Sequence, residues 1–455
     1  VVHRFADDPT PDIRTRVATA LVNKGIALGQ QDRPDEATAV YGDVVDRFAD
    51  DPTPDIRTRV ANALVNKGVI LGEQDRHDEA IALYGDVVHR FADDPTPDIR
   101  TRVATALVNK GIALGQQDRP DEATAVYGDV VDRFADDPTP DIRTEVAKAL
   151  VNKGITLGEQ DRHDEAIALY GDVVDRFADD PTPDIRTRVA TALVNKGIAL
   201  GQLDRPDEAT AVYGDVVDRF ADDPTPDIRT RVANALVNKG VILGEQDRHD
   251  EAIALYGDVV DRFADDPTPD IRTRVATALV NKGIALGRLG RLDEAVAVCD
   301  DVVRRFADDP TPDTRTQVAT ALLVKGIALG QQDRHDEAIA VYDDVVHRFA
   351  DDPTPDTRTQ VATALLGKGV ALGRLGRLDE AIAVCDDVVR RFADDPTPDT
   401  RTQVATALVN KGIALGQQDR HDEAIAVCDD VVHRFADDPT PDMLAIVAEA
   451  RAYRP

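Results

Sequence analysis

The sequence contains no tryptophan, one methionine and three cysteines, and only 4% of its 455 residues are aromatic. These scarcities disfavour a globular core built on large aromatic side chains and favour helices packed through small residues. No apolar run approaches the roughly 20 residues that a membrane-spanning helix requires. A signal peptide is also lacking. We therefore expect a cytoplasmic protein without a membrane segment.

Basic residues are outnumbered, with 54 Lys plus Arg against 85 Asp plus Glu, which gives a net charge of -31. The excess is spread along the whole chain and does not form an acidic tail. Such a surface repels nucleic acid and anionic membranes. We expect a protein or peptide partner that is neutral or basic, and no nucleic acid or membrane partner.

A block of 43 residues, beginning VVHRFADDPTPDIRTRV, recurs without insertion along the whole chain. A fixed period of this size is typical of a solenoid or a propeller. We predict a single array over residues 1–455, with a partial last repeat and a C-terminal capping helix in residues 431–455. The ten complete repeats begin at Val1, Val44, Val87, Val130, Val173, Val216, Val259, Val302, Val345 and Val388.

Each repeat has the pattern of two helices. In the first repeat Thr10-Pro11-Asp12 offers a capping hydroxyl, a proline suited to the first helical turn and an acidic residue near the positive helix end. The apolar spacing predicts a first helix to about Gln30. A second helix is predicted from Pro34 past Phe48, ending before Asp50-Asp51-Pro52. No segment alternates like a strand for long, so we predict an all-α fold of stacked hairpins.

The segment Ala20 to Val45 resembles a tetratricopeptide repeat. The matching features are the small residue Gly25, the turn Gln31-Asp32, the Asp35-Glu36-Ala37 motif and the aromatic Tyr41. At 43 residues the repeat is longer than the usual 34, and it is similar to the longer subclass with high internal identity. The resemblance implies an α-solenoid wound as a right-handed superhelix, with first helices lining a concave groove that binds protein segments.

A helical wheel with Leu21 facing inward places a polar arc on the opposite side of the first helix. Together with the resemblance, this arc predicts a binding groove whose candidate residues are Arg16, Thr19, Val22, Asn23, Ile26 and Gln30. An asparagine amide can donate to and accept from a peptide backbone. Asn23 has counterparts in seven other repeats, namely Asn66, Asn109, Asn152, Asn195, Asn238, Asn281 and Asn410. Alternatively, Val22 and Ile26 pack between neighbouring first helices.

Variation between repeats is concentrated on this arc. Val324 and Gly367 replace the asparagine in repeats eight and nine, and Glu145 replaces the arginine equivalent to Arg16 in repeat four. A binding surface permits such changes, and so does drift on a solvated face. Lys24 lies on the apolar arc: it either contributes to a row that binds carboxylates or extends its ammonium to an acid such as Asp35 or Asp43 of a neighbouring helix.

Signs of catalysis or metal binding are lacking. The nine histidines have no partner at metal-ligand spacing, and there is no glycine-rich phosphate loop or nucleophile motif. Cys299, Cys385 and Cys428 take the place of the repeat's tyrosine, which indicates a buried helical position and not a disulfide framework. We therefore predict a protein that is not an enzyme and that has no metal and no cofactor.

Three functions are consistent with the sequence. The first is an interaction scaffold that binds a peptide or partner domain in its groove. The second is a structural solenoid that self-associates end to end into filaments. The third is the regulatory or sensor region of a larger multidomain protein, since the chain begins inside a repeat without an initiating Met and reads as a fragment. The dominance of Arg, Ala, Val, Asp and Gly is typical of a GC-rich bacterial genome.

Overall fold

The computed structural model describes residues 10–352, 354–395 and 397–452, and within them all regular structure is α-helical. The first helices of the repeats are α1 (Pro11–Gln30), α3 (Pro54–Glu73), α5 (Pro97–Gln116), α7 (Pro140–Glu159), α9 (Pro183–Gln202), α11 (Pro226–Glu245), α13 (Pro269–Arg288), α15 (Pro312–Gln331), α17 (Pro355–Arg374), α19 (Pro398–Gln417) and α21 (Pro441–Ala452). The second helices are α2 (Pro34–Phe48), α4 (His77–Phe91), α6 (Pro120–Phe134), α8 (His163–Phe177), α10 (Pro206–Phe220), α12 (His249–Phe263), α14 (Leu292–Phe306), α16 (His335–Phe349), α18 (Leu378–Phe392) and α20 (His421–Phe435). The predicted helix limits are thereby confirmed. Tyr453, which the sequence placed in the last helix, lies outside the described residues.

The start of each first helix differs from the prediction in its capping group. Thr53 has the extended backbone of a capping residue, but its hydroxyl makes no capping hydrogen bond. The carboxylate of Asp51 instead accepts a hydrogen bond from the Thr53 backbone N–H, with N···Oδ1 at 2.9 Å. The predicted hydroxyl cap is therefore wrong for this helix, and the Asp51 carboxylate instead orders the loop before it.

The turn inside each hairpin depends on one residue in the left-handed conformation. In the first repeat this is Asp32, with φ at 57°. The Arg33 N–H donates to the Leu28 carbonyl and the Asp32 N–H to the Gly29 carbonyl, both at 3.0 Å. These two bonds close the C-terminus of the first helix and reverse the chain.

The core lies between the two layers of helices. Within each compact unit described below, first helices pack on their own second helices and on neighbouring first helices, as α1 packs on α2 and α3. Leu21, Tyr41 and Val44 are buried in this core, in agreement with the wheel. Because a hairpin cannot cover its own apolar faces, stacking of repeats supplies the missing contacts.

A half-buried ion pair joins the first helix of a hairpin to the loop that follows its second helix. The Arg100 guanidinium of α5 lies 2.5 Å from Oδ2 of Asp137, which follows α6, and 5.8 Å from the centroid of the Phe134 ring. The Asp137 side chain is only 4% exposed. Equivalent pairs include Arg14–Asp51, Arg57–Asp94, Arg143–Asp180, Arg186–Asp223, Arg272–Asp309, Arg315–Asp352 and Arg358–Asp395.

The packing divides the chain into two compact units after Val232, a point inside α11. Each unit is by itself a stack of helical hairpins with the same layer of first helices. The predicted all-α solenoid of helix-turn-helix repeats is confirmed.

Candidate functional site

An apolar residue repeats on the exposed side of the first-helix layer. It is Ile26 in the first repeat, 41% exposed, and Ile155, Ile198, Ile327 and Val370 at the equivalent positions of later repeats are exposed to a similar degree. A row of exposed large aliphatic side chains is unusual on a surface that is otherwise polar. The prediction that Ile26 faces solvent on this side is therefore consistent with the structure.

Val22 requires a correction. The wheel placed it at the edge of the exposed arc, but it is 4% exposed and belongs to the core, as do its equivalents Val65 and Val108. The physical reason is that first helices pack directly on one another, so that the edge of the arc closes against the neighbouring helix. The burial of Val22 agrees with the alternative of packing between helices.

Open cavities lie between successive first helices, near their C-terminal ends. We call them niches and name each one after the residue of the second helix that forms its floor. Four such niches are the Tyr170 niche of about 520 Å³, the Tyr256 niche of about 180 Å³, the Tyr342 niche of about 540 Å³ and the Cys385 niche of about 550 Å³. The same positions of the repeat line them, so the niches are a property of the repeat itself.

The Tyr170 niche shows how these positions are arranged. Ile155 of α7 and Ile198 of α9 provide its apolar walls, and Tyr170 of α8 lies beneath them. Its polar lining consists of Glu159, Asp161, His163, Asn195 and Gln202. Aliphatic walls with a few convergent polar groups are typical of sites that bind small ligands or single side chains.

The asparagines predicted to contact a peptide also contact the floor of the niche. The Asn66 amide donates to the Tyr41 hydroxyl of the preceding repeat, with Nδ2···Oη at 3.5 Å. The equivalent bond links Asn195 to Tyr170. Burial raises the pKa of Tyr170 to about 12 and outweighs this hydrogen bond, so the floor is a neutral phenol at physiological pH. The asparagine thus also connects one repeat to the next.

The other predicted groove residues divide into two sets. The position of Gln30 lines the niches, as Glu159, Gln202, Arg288 and Arg374 do in later repeats. The positions of Arg16 and Thr19 lie nearer the start of the first helix and line none of these four niches. There, Gln360 donates to the Thr320 hydroxyl of the preceding repeat at 2.6 Å, so one such residue joins neighbouring first helices.

Two lining positions were missed by the sequence reasoning. The repeat's tyrosine was assigned to the core alone, and the turn histidine, such as His163, was considered only as a metal ligand. A signal for the second was present, because Glu73 and His77 replace Gln30 and Pro34 together in repeats two, four and six.

The repeated lysine lies outside the niches. Its ammonium pairs with an acid of the preceding second helix in three late repeats: Lys325 with Asp300, Lys368 with Asp343 and Lys411 with Asp386. These acids directly precede the equivalents of Asp43, so the acid differs from those predicted. In early repeats a glycine takes the position of this acid. One example is Gly128, where an added Cβ would lie 3.5 Å from the Lys153 Nζ.

Two further features of the described residues bear on the class of site. Over residues 10–352, 354–395 and 397–452, no group of three or more His, Cys, Asp or Glu side chains is arranged to hold a metal ion. No helix in the same ranges is long and apolar enough to cross a membrane. The cysteines Cys299, Cys385 and Cys428 are buried free thiols, which confirms that their position is an interior one.

Solved structures share this architecture. The apo form of RapI aligns with 86% of this chain and 98% of its own, at a TM-score of 0.53 and 10% sequence identity. The apo form of the quorum sensor NprR from B. thuringiensis aligns with 82% of this chain and 97% of its own, at a TM-score of 0.46 and 10% identity. At these identities the similarity to RapI shows the fold alone. Comparison with curated proteins finds no match.

Family models give a more direct result. One tetratricopeptide repeat model matches residues 22–95, 108–181, 194–267 and 323–396, and a second matches residues 275–306. The first model alone covers more than half of the chain. Its matches all begin at the same position of the 43-residue repeat and so follow the hairpins and niches described above. The chain therefore belongs to the tetratricopeptide repeat family.

Proposed function

We propose that the array is a non-enzymatic scaffold that binds an extended peptide segment along its first-helix layer, with side chains of the segment inserted into the niches. The observation that carries this proposal is the repetition of one niche construction, with exposed aliphatic walls and polar groups around them. The tetratricopeptide repeat family to which the chain belongs supports an interaction role in general terms.

The energetics favour several shallow contacts in series. Burying the exposed part of Ile155 or Ile198 under a ligand side chain gains roughly 25 cal/mol per Å² of apolar surface. One niche alone therefore binds weakly. A segment that occupies neighbouring niches gains affinity because each further contact forms within an already tethered complex.

Charge narrows the choice of segment. The net charge of -31 and the carboxylate of Glu159 beside the Tyr170 niche favour neutral or basic segments. We therefore expect peptides with alternating aliphatic and basic residues to bind better at this niche than acidic peptides of equal hydrophobicity.

A library of arrayed random peptides tests the proposal. The intact chain is compared with the double variant Ile155→Asp and Ile198→Asp, and with the control Leu444→Asp, which changes an exposed aliphatic residue of α21. We expect enriched peptides to lose signal on the double variant and to keep it on the control. Failure to enrich any peptide, or equal capture by all three proteins, would refute the proposal.

Sedimentation over a range of protein concentrations accompanies this test. Self-association through the first-helix layer would bury the same exposed isoleucines without any peptide. A mass that is independent of concentration excludes that explanation. A mass that grows with concentration and no longer grows in the double variant would favour assembly over peptide binding.

A further inference from the structure

The Tyr342 niche uses the same eleven positions as the Tyr170 niche but differs in charge. Gln331 stands in place of Glu159, and Arg374 stands in place of Gln202. The lining of the Tyr170 niche holds two carboxylates and no cation, whereas that of the Tyr342 niche holds one carboxylate and one guanidinium. The substitutions therefore make the second niche more positive by two charges.

A third substitution changes the floor. Gly367 stands where Asn195 lies in the Tyr170 niche, so Tyr342 has no asparagine amide beside it. Only 5% of the Tyr342 surface is exposed. Unlike the hydroxyl of Tyr170, that of Tyr342 has no side-chain hydrogen bond within the described residues. Burial raises the pKa of Tyr342 to about 12, so the hydroxyl keeps its proton and can donate it.

Two more polar groups in this niche lack partners. His335 lines the niche, and its Nδ1 atom is buried without a hydrogen bond. Arg374 makes no ion pair or hydrogen bond with the described residues, unlike Arg377 of the next turn, whose guanidinium binds Glu380 at 2.7 Å. Arg374 also lines the adjacent Cys385 niche. A hydroxyl without a hydrogen-bond partner and an unpaired guanidinium that line one cavity are complementary to an anion.

We propose that the Tyr342 niche selects an acidic side chain of the bound peptide, whose carboxylate accepts hydrogen bonds from the Arg374 guanidinium and the Tyr342 hydroxyl. The methylene groups of that side chain pack between Ile327 and Val370, the apolar walls, which are each about half exposed. This inference rests on the proposed peptide-binding function. It adds that niches of one array differ in the charge they select, according to the residues at the positions of Asn23 and Gln30.

Three probe peptides test the selection. Each is acetylated, amidated and seven residues long, with two photoreactive leucine analogues flanking a central glutamate, glutamine or lysine. After irradiation with the intact chain, mass spectrometry maps the crosslinks and their yield at each niche. We expect the glutamate peptide to label residues 327–374 about tenfold more than the lysine peptide, as one charge-assisted hydrogen bond allows. We expect the opposite order at residues 155–202.

Substitutions assign the selection to the named groups. Arg374→Glu should reverse the order of the glutamate and lysine peptides at residues 327–374. Tyr342→Phe should lower labelling by the glutamate peptide about threefold and leave the glutamine peptide unchanged. Arg390→Glu is the matched control, because it makes the same change of charge at an exposed residue of α18 outside the niche.

The outcomes separate this inference from the function it rests on. If no peptide labels any niche, the peptide-binding function is wrong and the charge selection with it. If peptides label the niches but the three central residues give equal yields at residues 327–374, only the charge selection is overturned. Equal effects of Arg374→Glu and Arg390→Glu would assign the preference to overall charge and also overturn it.

Discussion

The ring of Tyr170 lies directly against the backbone of Gly154: a Cβ built on that glycine would be 2.6 Å from the tyrosine Cε1. The floor of the niche therefore depends on a residue without a side chain in the first helix. The equivalent contact in repeat nine is looser, because Gly369 faces Cys385 and an added Cβ would lie 3.7 Å from its Sγ atom.

The repeats thus offer a matched pair of substitutions. Gly154→Ala should destabilise its repeat by about 1–3 kcal/mol through overpacking. Gly369→Ala should be neutral or stabilising by up to about 1 kcal/mol, since alanine favours helix. Hydrogen exchange of peptides from α7 and α17 measures the local change in stability that each substitution causes. In a Tyr170→Cys background, Gly154→Ala should cost much less than it does beside the tyrosine. Equal losses in the two single variants would contradict the packing argument.

Acid should weaken the contact between a first helix and the loop that follows its second helix. Burial tends to raise the pKa of Asp137, but hydrogen bonds from Thr139 and the charge of Arg100 outweigh it and hold the pKa below its ordinary value. The stabilisation is complete above the unfolded pKa of about 3.9 and is lost as the pH falls through the folded pKa. We expect the thermal unfolding temperature to be steady near neutral pH and to fall steeply below about pH 4.

A neighbouring aspartate provides the control for this effect. Asp137→Asn should cost about 1–3 kcal/mol at pH 7, because Arg100 loses its charged partner, and should flatten the acid dependence of its repeat. Asp136→Asn alters an exposed residue. It should change neither the stability at pH 7 nor the acid dependence of the repeat. Hydrogen exchange of α5 and α6 at pH 7 and pH 4 compares the local stability of the two variants. If Asp137→Asn and Asp136→Asn gave the same exchange rates, the ion pair would contribute nothing to stability.

The hairpin turn should gain stability from glycine. Asp118 has φ at 57°, whereas Gly290 takes the same position with φ at 71°. A side chain in this conformation costs roughly 1 kcal/mol, part of which is offset by the greater freedom of glycine in the unfolded chain. Asp118→Gly should therefore stabilise its repeat by less than about 1 kcal/mol, and Gly290→Asp should destabilise. If Asp118→Gly lowered the thermal unfolding temperature and Gly290→Asp raised it, this assignment would be wrong.

The lysine pairs of the late repeats should be weak and sensitive to salt. Lys368 Nζ lies 2.5 Å from Asp343 Oδ1, but half of the aspartate side chain is exposed. Such a pair contributes less than about 1 kcal/mol and is screened at high ionic strength. Asp343→Asn should lower the free energy of unfolding. The part of this decrease that comes from the ion pair should vanish in 1 M salt. A loss that persists there would show that the aspartate acts by another contact.

The buried cysteines should react slowly. Burial raises the pKa of Cys385 and of Cys299 to about 12, and both side chains are almost fully enclosed. Because the thiolate is the reactive form, modification by a disulfide reagent at pH 8 should be slow in the folded chain and rapid in guanidinium chloride. Rapid modification of the folded chain would contradict the burial of these thiols.

Much of the fold could be predicted from one repeat. The Pro11 and Pro34 starts and the apolar spacing between Val17 and Leu28 defined both helices to within a residue, because local backbone rules and burial act over short distances. The absence of a hydroxyl cap could not be predicted, since threonine before proline is a typical capping residue and only the loop geometry decides which hydrogen bonds form there.

The candidate site was less accessible to sequence reasoning. A helical wheel describes one helix, and it could not show that Val22 closes against the next first helix while Ile26 remains open. Nor could it show that Asn195 reaches back to Tyr170 of the preceding repeat. Both facts depend on contacts between residues that are far apart in sequence.

The sequence by itself determined the helices, their order and the family of the array, because the period of its apolar residues and the positions of its prolines act locally. Tertiary structure decided which residues share a niche, because each niche combines the end of one first helix, the following second helix and the first helix of the next repeat. Gly367 and Arg374 illustrate the difference. In the sequence they are two departures from a repeat, and in the folded chain they line one cavity with Tyr342.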